Sequence, residues 1–296
     1  MVGVMGRPRF LYAIAFALCC STGAIASTLG PDGTAGQRFP CKFTWFDLAT
    51  ENPAGARAFY GAVFGWTFSE VPGAPAGYTL VSNAGGKVAG IFRQQRPAGG
   101  TVAARWLSLM SVADAQKAAE LVRERGGQVL LAPKSVPGRG THAVFRDPEG
   151  AVFGVLAAEG GDPPDTPVAD GDVFWLDLFS HAPAKAAAFY AAVVGCDVNV
   201  GEVVGRKRTI LSSGGIARAG IAQLPLGADR PGWLPYVLVD DVPATLERAR
   251  KAGGKLVMAP RPDILEGNLA VVADPEGGVV GVLNWVDNAP AAGPAK

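Results

Sequence analysis

The sequence predicts an α+β fold of two tandem modules, each made of paired β-α-β-β-β units, and three observations carry that prediction. First, the stretch F-T-W-F-D-L-A-T with A-F-Y-G-A-V-F-G-W, residues 43–66, returns as V-F-W-L-D-L-F-S with A-F-Y-A-A-V-V-G-C, residues 173–196. Trp45, Asp47 and Phe59-Tyr60 thereby match Trp175, Asp177 and Phe189-Tyr190 at a constant offset of 130 residues. Second, D-P-E-G at Asp147 returns at Asp274 with an offset of 127. Echoes held in register at both ends of a unit mark a duplicated module. Third, short alternating apolar runs are interrupted by single stretches of helical spacing, with Gly and Pro at the joints.

Each element follows from local chemistry. Residues 27–40 are polar and Gly-rich and read as a flexible lead-in. In the first module, residues 41–158, Phe43, Trp45 and Asp47 alternate with Thr44, Phe46 and Leu48, which makes a strand with two unlike faces. Asn52-Pro53 supplies an N-cap and a proline at the first helical position. Ala58, Phe59, Ala62 and Val63 form that helix's apolar stripe, and Gly65 ends it. Strands follow at 66–71, 78–83 and 87–93. The second unit opens with a strand at 105–112. Asp114 then caps a helix with Ala115, Ala118, Ala119 and Val122 on its apolar face, ended by Gly126-Gly127. Strands at 128–133, 141–146 and 151–157 complete the module, the last two joined by D-P-E-G. Residues 159–170 are a linker by composition.

The second module, residues 171–286, repeats the order. A strand at 173–178 leads to a helix opened by Pro183, then strands at 209–213 and 217–224. Its second unit has a strand at 233–239, a helix capped by Asp241 and ended by Gly253-Gly254, and strands at 255–259, 269–273 and 278–283. Residues 287–296 are a loose Ala/Pro tail.

A chain of 296 residues with 49% hydrophobic content can bury the two cores that the repeat demands. Net charge is +1 with lysines and arginines dispersed, so nucleic acid is not an expected partner. Arg7 and Arg9, an apolar run over 10–20 and Ala24-Ile25-Ala26 have the pattern of a secretory signal peptide, residues 1–26. The expected location is therefore periplasmic or secreted, with no membrane span after cleavage. In a lipid-anchored alternative, Cys19 or Cys20 would carry the lipid. Cys41 and Cys196 remain, one per module at non-equivalent positions, and are expected to be free buried thiols.

Tandem β-α-β-β-β units, the W-x-D-L opening with A-F-Y, and the D-P-E-G turn together resemble the vicinal-oxygen-chelate superfamily, the group of glyoxalase I, extradiol dioxygenases and bleomycin-resistance proteins. The resemblance spans roughly residues 41–286. It implies that the paired units of each module curl into a half-barrel around a cleft, with helices outside. By analogy with one-module relatives that dimerise, it also implies that the two modules pack as an internal pseudo-dimer.

Metal-using members place His, Gln or Glu on the first and last strands of each unit. Here the matching positions hold Trp45 and Trp175, Gly154 and Gly281, with Trp106-Leu107 and Trp233-Leu234 on the strand opening each second unit. None is a useful donor for a divalent ion, so no metal and no cofactor is expected. His142 reads as a strand histidine and His181 as a loop histidine. The Trp45/Asp47 and Trp175/Asp177 faces are left for the clefts, opposite the apolar face of Phe46 and Leu48 or Phe174, Leu176 and Leu178. There the indoles can stack on a planar ligand and the carboxylates can orient a polar or cationic group, or the indoles can simply fill the space a metal would take. Trp106, Trp233, Tyr236 and Tyr78 are further candidates for the same walls, and Glu149 and Glu276 are turn residues.

The leading expectation is an exported, metal-free protein that binds a small apolar or aromatic molecule, with one cleft per module. The candidate ligand-binding residues are Trp45, Asp47, Trp106, Trp175, Asp177 and Trp233. The alternatives are a lyase or dioxygenase of the same superfamily, and a structural protein with closed clefts.

Overall fold

The computed structural model describes residues 29–285 apart from 35, 72–73, 75–76, 85, 96–101, 204–205 and 226–229. The signal-peptide pattern and the tail lie outside the described residues. The first module runs β1 (Phe43–Thr50), α1 (Pro53–Phe64), β2 (Thr67–Glu70), β3 (Thr79–Asn83), β4 (Gly86–Arg93), β5 (Arg105–Ser111), α2 (Ala115–Glu124), β6 (Gln128–Val136), β7 (Gly140–Arg146) and β8 (Val152–Ala158). The second runs β9 (Val173–Ser180), α3 (Pro183–Val194), β10 (Asp197–Val203), β11 (Arg206–Ser213), β12 (Ile216–Gln223), β13 (Gly232–Leu238), α4 (Val242–Lys251), β14 (Lys255–Met258), β15 (Leu269–Ala273) and β16 (Val279–Leu283). A single 3-10 turn, Leu265–Gly267, precedes β15.

Each module closes its own eight-stranded sheet in the order β2-β3-β4-β1-β5-β8-β7-β6, and the second follows the same order, β10-β11-β12-β9-β13-β16-β15-β14. The first strand of each module runs parallel to the fourth and antiparallel to the fifth. The two β-α-β-β-β units are thus stitched along β1–β5 and β9–β13, which places both W-x-D-L strands at the centre of their sheets.

Caps form as the residue types require. The Asn52 side chain accepts from the Gly55 N–H at 3.0 Å with Pro53 in the first turn, and Gly65 ends α1 in the left-handed region at φ 74°. Asp114 and Asp241 cap α2 and α4 through their carboxylates.

The helices of one module meet those of the other, α1 against α4 and α2 against α3. Phe46, Leu48, Phe59, Phe145 and Phe153 share one continuous core with Leu178, Phe189, Tyr190 and Val282. Each sheet buries one apolar face under its own module's helices, and the two covered faces merge where α1 meets α4, α2 meets α3, and β5 and β8 approach β13 and β16.

Several expectations are corrected. Cys41 and Cys196 are joined in a disulfide, not free: packing the modules together brings side chains 155 residues apart into contact. The lead-in is not flexible where it is described. Leu29 is buried in the first module's cleft cluster, and Thr34 and Gln37 exchange backbone hydrogen bonds with Asp162. Asp162, in the linker segment, is fully buried and accepts from the Ser111 hydroxyl and the Phe39 N–H, so that this stretch is anchored to the first module and the lead-in. The edge strand β10 is an element beyond those expected, and its Val198 and Val200 face solvent.

Candidate binding cleft

Alternation on β1 and β9 sends one indole and one carboxylate to the same side of each sheet. Trp45 Nε1 donates to Asp47 Oδ1 at 3.0 Å, and Trp175 Nε1 donates to Asp177 Oδ1 at 3.1 Å. Gly90 on β4 and Gly220 on β12 stand beside these aspartates, where any Cβ would overlap the carboxylate oxygen. Up to this point the modules are copies.

In the first module the cleft is full. The Tyr78 hydroxyl donates to Asp47 Oδ1 at 3.0 Å, and the Arg139 guanidinium pairs with Oδ2 while donating to the Tyr78 oxygen at 3.2 Å. Arg139 also lies over the Trp45 ring, 6.0 Å from its centroid. Leu29, Leu80, Leu107, Leu109, Val144 and Leu156 pack around this group. Trp45 is 1% exposed and Arg139 4%. Burial and the neighbouring Asp47 push the Tyr78 hydroxyl far above its ordinary pKa. Burial pulls on Arg139 the other way, but Asp47 overrides it and holds the guanidinium charged. His142, on the same face, is driven down to about 3 by burial and by the charge of Arg139.

In the second module the cleft is a cavity of about 490 Å³. Its walls are Trp175, Tyr236, Ile264, Leu265, Leu269 and Leu283, with Phe174 and Trp285 meeting edge to face near the mouth. At its floor Arg208 donates Nη1–H to Asp177 Oδ2 at 2.7 Å, and the buried Tyr236 hydroxyl also bonds to Asp177. Burial first, and then Asp177, raise the Tyr236 pKa well above its ordinary value, so it stays a donor. Asp263 stands at the rim, held by Arg261.

The six candidate residues therefore separate. Trp175 and Asp177 lie in the open cleft, and Trp45 and Asp47 in the filled one. Trp106 and Trp233 do not reach a cleft. They pair across the sheet with Leu48 and Leu178, which puts them on the helix face between the modules. There Trp106 Nε1 donates to the Tyr60 hydroxyl at 2.9 Å, and Tyr60 donates to Asp274 Oδ2 at 2.9 Å. The mirror chain joins Trp233 to Tyr190 at 2.9 Å and Tyr190 to Asp147 Oδ2 at 3.1 Å. The D-P-E-G aspartates are thus both turn formers and cross-module anchors, and Glu149 reaches across to the Ser180 hydroxyl at 2.7 Å.

Phe174 is a second correction. The register shifts where β13 pairs with residues 173–175, and the side chain joins the cleft cluster instead of packing under the helix. Of the carboxylates, Asp177 lines the cavity at 3% exposure and already receives three donors. A cleft in each module is the third correction, since Leu29, Arg139 and Tyr78 occupy the first. Sequence reasoning missed Arg208 and Arg139, although superposing the copies at the offset of 130 sets Arg208 on Tyr78 and exposes the exchange.

The superfamily's metal does not fit these residues. Gly281 lies under the Tyr236 ring and Gly154 against Leu109, and the first-strand positions are indoles. Among the described residues no three His, Cys, Asp or Glu side chains converge.

Residues 42–155 match the family profile of the Glyoxalase/Bleomycin resistance protein/Dioxygenase superfamily, and residues 174–283 that of a Glyoxalase-like domain. The chain is 30% identical over 242 residues to "Putative glyoxylase CFP32" of Mycobacterium bovis, covering 81% of this chain and 93% of that one. It is 34% identical over 265 residues to "Anthracycline biosynthesis protein DnrV" of Streptomyces peucetius, covering 84% and 94%. Among solved structures it resembles the Mn(II)-bound glyoxalase from Novosphingobium aromaticivorans, with a TM-score of 0.56, 16% identity and 83% of each chain covered. The 2,3-dioxygenase LapB from Pseudomonas sp. KL28 gives 0.55 at 12% identity, covering 84% of this chain and 94% of that one. At such identities the structures speak to the fold alone.

Proposed function

The chain belongs to the glyoxalase/bleomycin resistance protein/dioxygenase superfamily, and on that premise we propose that it is an exported protein that binds a small aromatic molecule in its second module without a metal ion. The observation that carries this reading is the cavity of about 490 Å³ walled by Trp175, Tyr236 and aliphatic side chains. Its size and apolar lining, with a few fixed polar groups at the floor, are those of small-molecule sites. The first module serves as the closed partner that supports it. Export draws on the pattern of residues 1–26 and agrees with a disulfide, which an oxidising compartment permits.

Fluorescence titration with planar aromatic compounds tests the binding claim. Trp175→Ala should weaken binding at least tenfold. Trp45→Ala should leave affinity unchanged and cost about 3–5 kcal/mol of stability, as a large buried side chain does. Saturable binding indifferent to Trp175 would place the site elsewhere.

Catalysis is the second reading, and the names of two relatives favour it, one a glyoxylase and one a protein of anthracycline biosynthesis. Turnover of methylglyoxal–thiol adducts or of catechols by the purified protein, with and without added divalent metals, would replace binding by catalysis.

A further inference from the structure

The floor of the second module's cleft specifies more than an aromatic ligand. Asp177 is the one carboxylate there, and its oxygens are spent on Trp175 Nε1, Arg208 Nη1 and the Tyr236 hydroxyl. With 3% exposure and three donors already on it, it is the less available of the two charged groups at the floor. Arg208 is different. Its side chain is 27% exposed, it lines the cavity, and it commits one N–H to Asp177 out of the five that a guanidinium carries. The pair is electrically balanced, so the floor presents donors without a net charge. The other carboxylate that lines the cavity, the exposed Asp263, is paired with Arg261.

Donors set into aromatic walls select a particular chemistry. From this geometry we infer that the cleft takes an uncharged planar aromatic carbonyl compound, an aryl ketone or quinone, whose ring stacks on Trp175 and whose carbonyl oxygen accepts from Arg208. A hydrocarbon of equal size desolvates the N–H groups of Arg208 that Asp177 does not take and gives them no acceptor. An ammonium group brings only donors to a floor whose exposed N–H groups are themselves donors. A carboxylate competes with Asp177 for a guanidinium already neutralised. The inference rests on the binding reading above and deepens it.

Calorimetric titration of the full chain with four congeners separates the two claims. The probes are acetylnaphthalene, ethylnaphthalene, naphthylethylammonium and naphthoate, substituted at the same ring position. The ketone should bind about tenfold or more tighter than the ethyl compound, the margin that a hydrogen bond to a charged donor supplies, and tighter than either ion. In the Arg208→Met/Asp177→Asn double variant, which leaves the floor uncharged, that preference should fall to within about twofold while ethylnaphthalene still binds. Equal affinity for ketone and ethyl compounds in the wild-type chain overturns the carbonyl inference and leaves small-molecule binding standing. A preference for naphthoate or for the ammonium overturns it as well. Failure of all four to bind removes both claims. The wild-type comparison decides the matter even if the double variant does not fold.

Discussion

Trp45 and Trp175 donate the same indole N–H to the same carboxylate neighbour, and a few surrounding substitutions separate a core from a cavity. At the offsets of the repeat, Tyr78 corresponds to Arg208, Leu109 to Tyr236 and Arg139 to Glu266. In the first module the counter-ion comes from the β6–β7 hairpin and reaches across the cleft, filling it. In the second it comes from β11, and Glu266 stands exposed in the 3-10 turn. His142 makes the same point at one position, since its counterpart is Leu269. The folded pKa of His142, about 3, lies below its ordinary 6.5, because burial and Arg139 exclude the charged form. Its contribution to stability is therefore complete above pH 6.5 and is lost as the pH falls toward 3. The slope is up to about 1.4 kcal/mol per pH unit for one proton. His142→Leu should remove that slope, read as denaturant midpoints between pH 6.5 and 4. An unchanged slope would locate the acid sensitivity in other groups.

At the scale of elements, the helices were legible because their caps are local chemistry: Asn52-Pro53, Asp114 and Asp241 form where the residue types placed them. The D-P-E-G turns were legible too, but their second role was not. Asp147 and Asp274 bond turn amides through one oxygen and the other module's tyrosine through the second. Burial raises both carboxyl pKa values, so each contributes stability at low pH that is lost as the pH rises through its folded pKa, the reverse of His142. Tyr190→Phe should cost about 1–3 kcal/mol by leaving Asp147 and the Trp233 N–H without their shared partner. Tyr60→Phe should cost the same by the mirror relation. Chemical denaturation gives the measurement, and a loss no larger than that of a surface change, about 0.5 kcal/mol, would show these hydroxyls to be passengers. Trp106 and Trp233 had to wait for the sheet register, because a strand's two faces are assigned to core or cleft by its neighbours.

For the whole molecule, the disulfide ties the start of the first module to the end of α3 in the second. Closing so long a loop restricts the unfolded chain, and reduction should lower stability by about 2–4 kcal/mol. Intact mass measurement of protein recovered from the cells that make it tests the disulfide and the export reading together. The expected species begins at Ser27 and is lighter than the reduced chain by two hydrogens. A chain that retains residues 1–26 with free thiols would overturn both.

The sequence by itself determined the duplication, the α+β class, the order of nearly every strand and helix, and the superfamily. These rest on periodicity, capping and turn chemistry, which act over a few residues and repeat in register. It also placed Trp45, Asp47, Trp175 and Asp177 together on one face. Only the tertiary structure decided which cleft is open, that Cys41 and Cys196 meet, and that Arg208 lines the open cleft paired with Asp177. Those outcomes depend on side chains from strands and modules far apart in the chain, and the volume left between them is set by packing that no local pattern encodes.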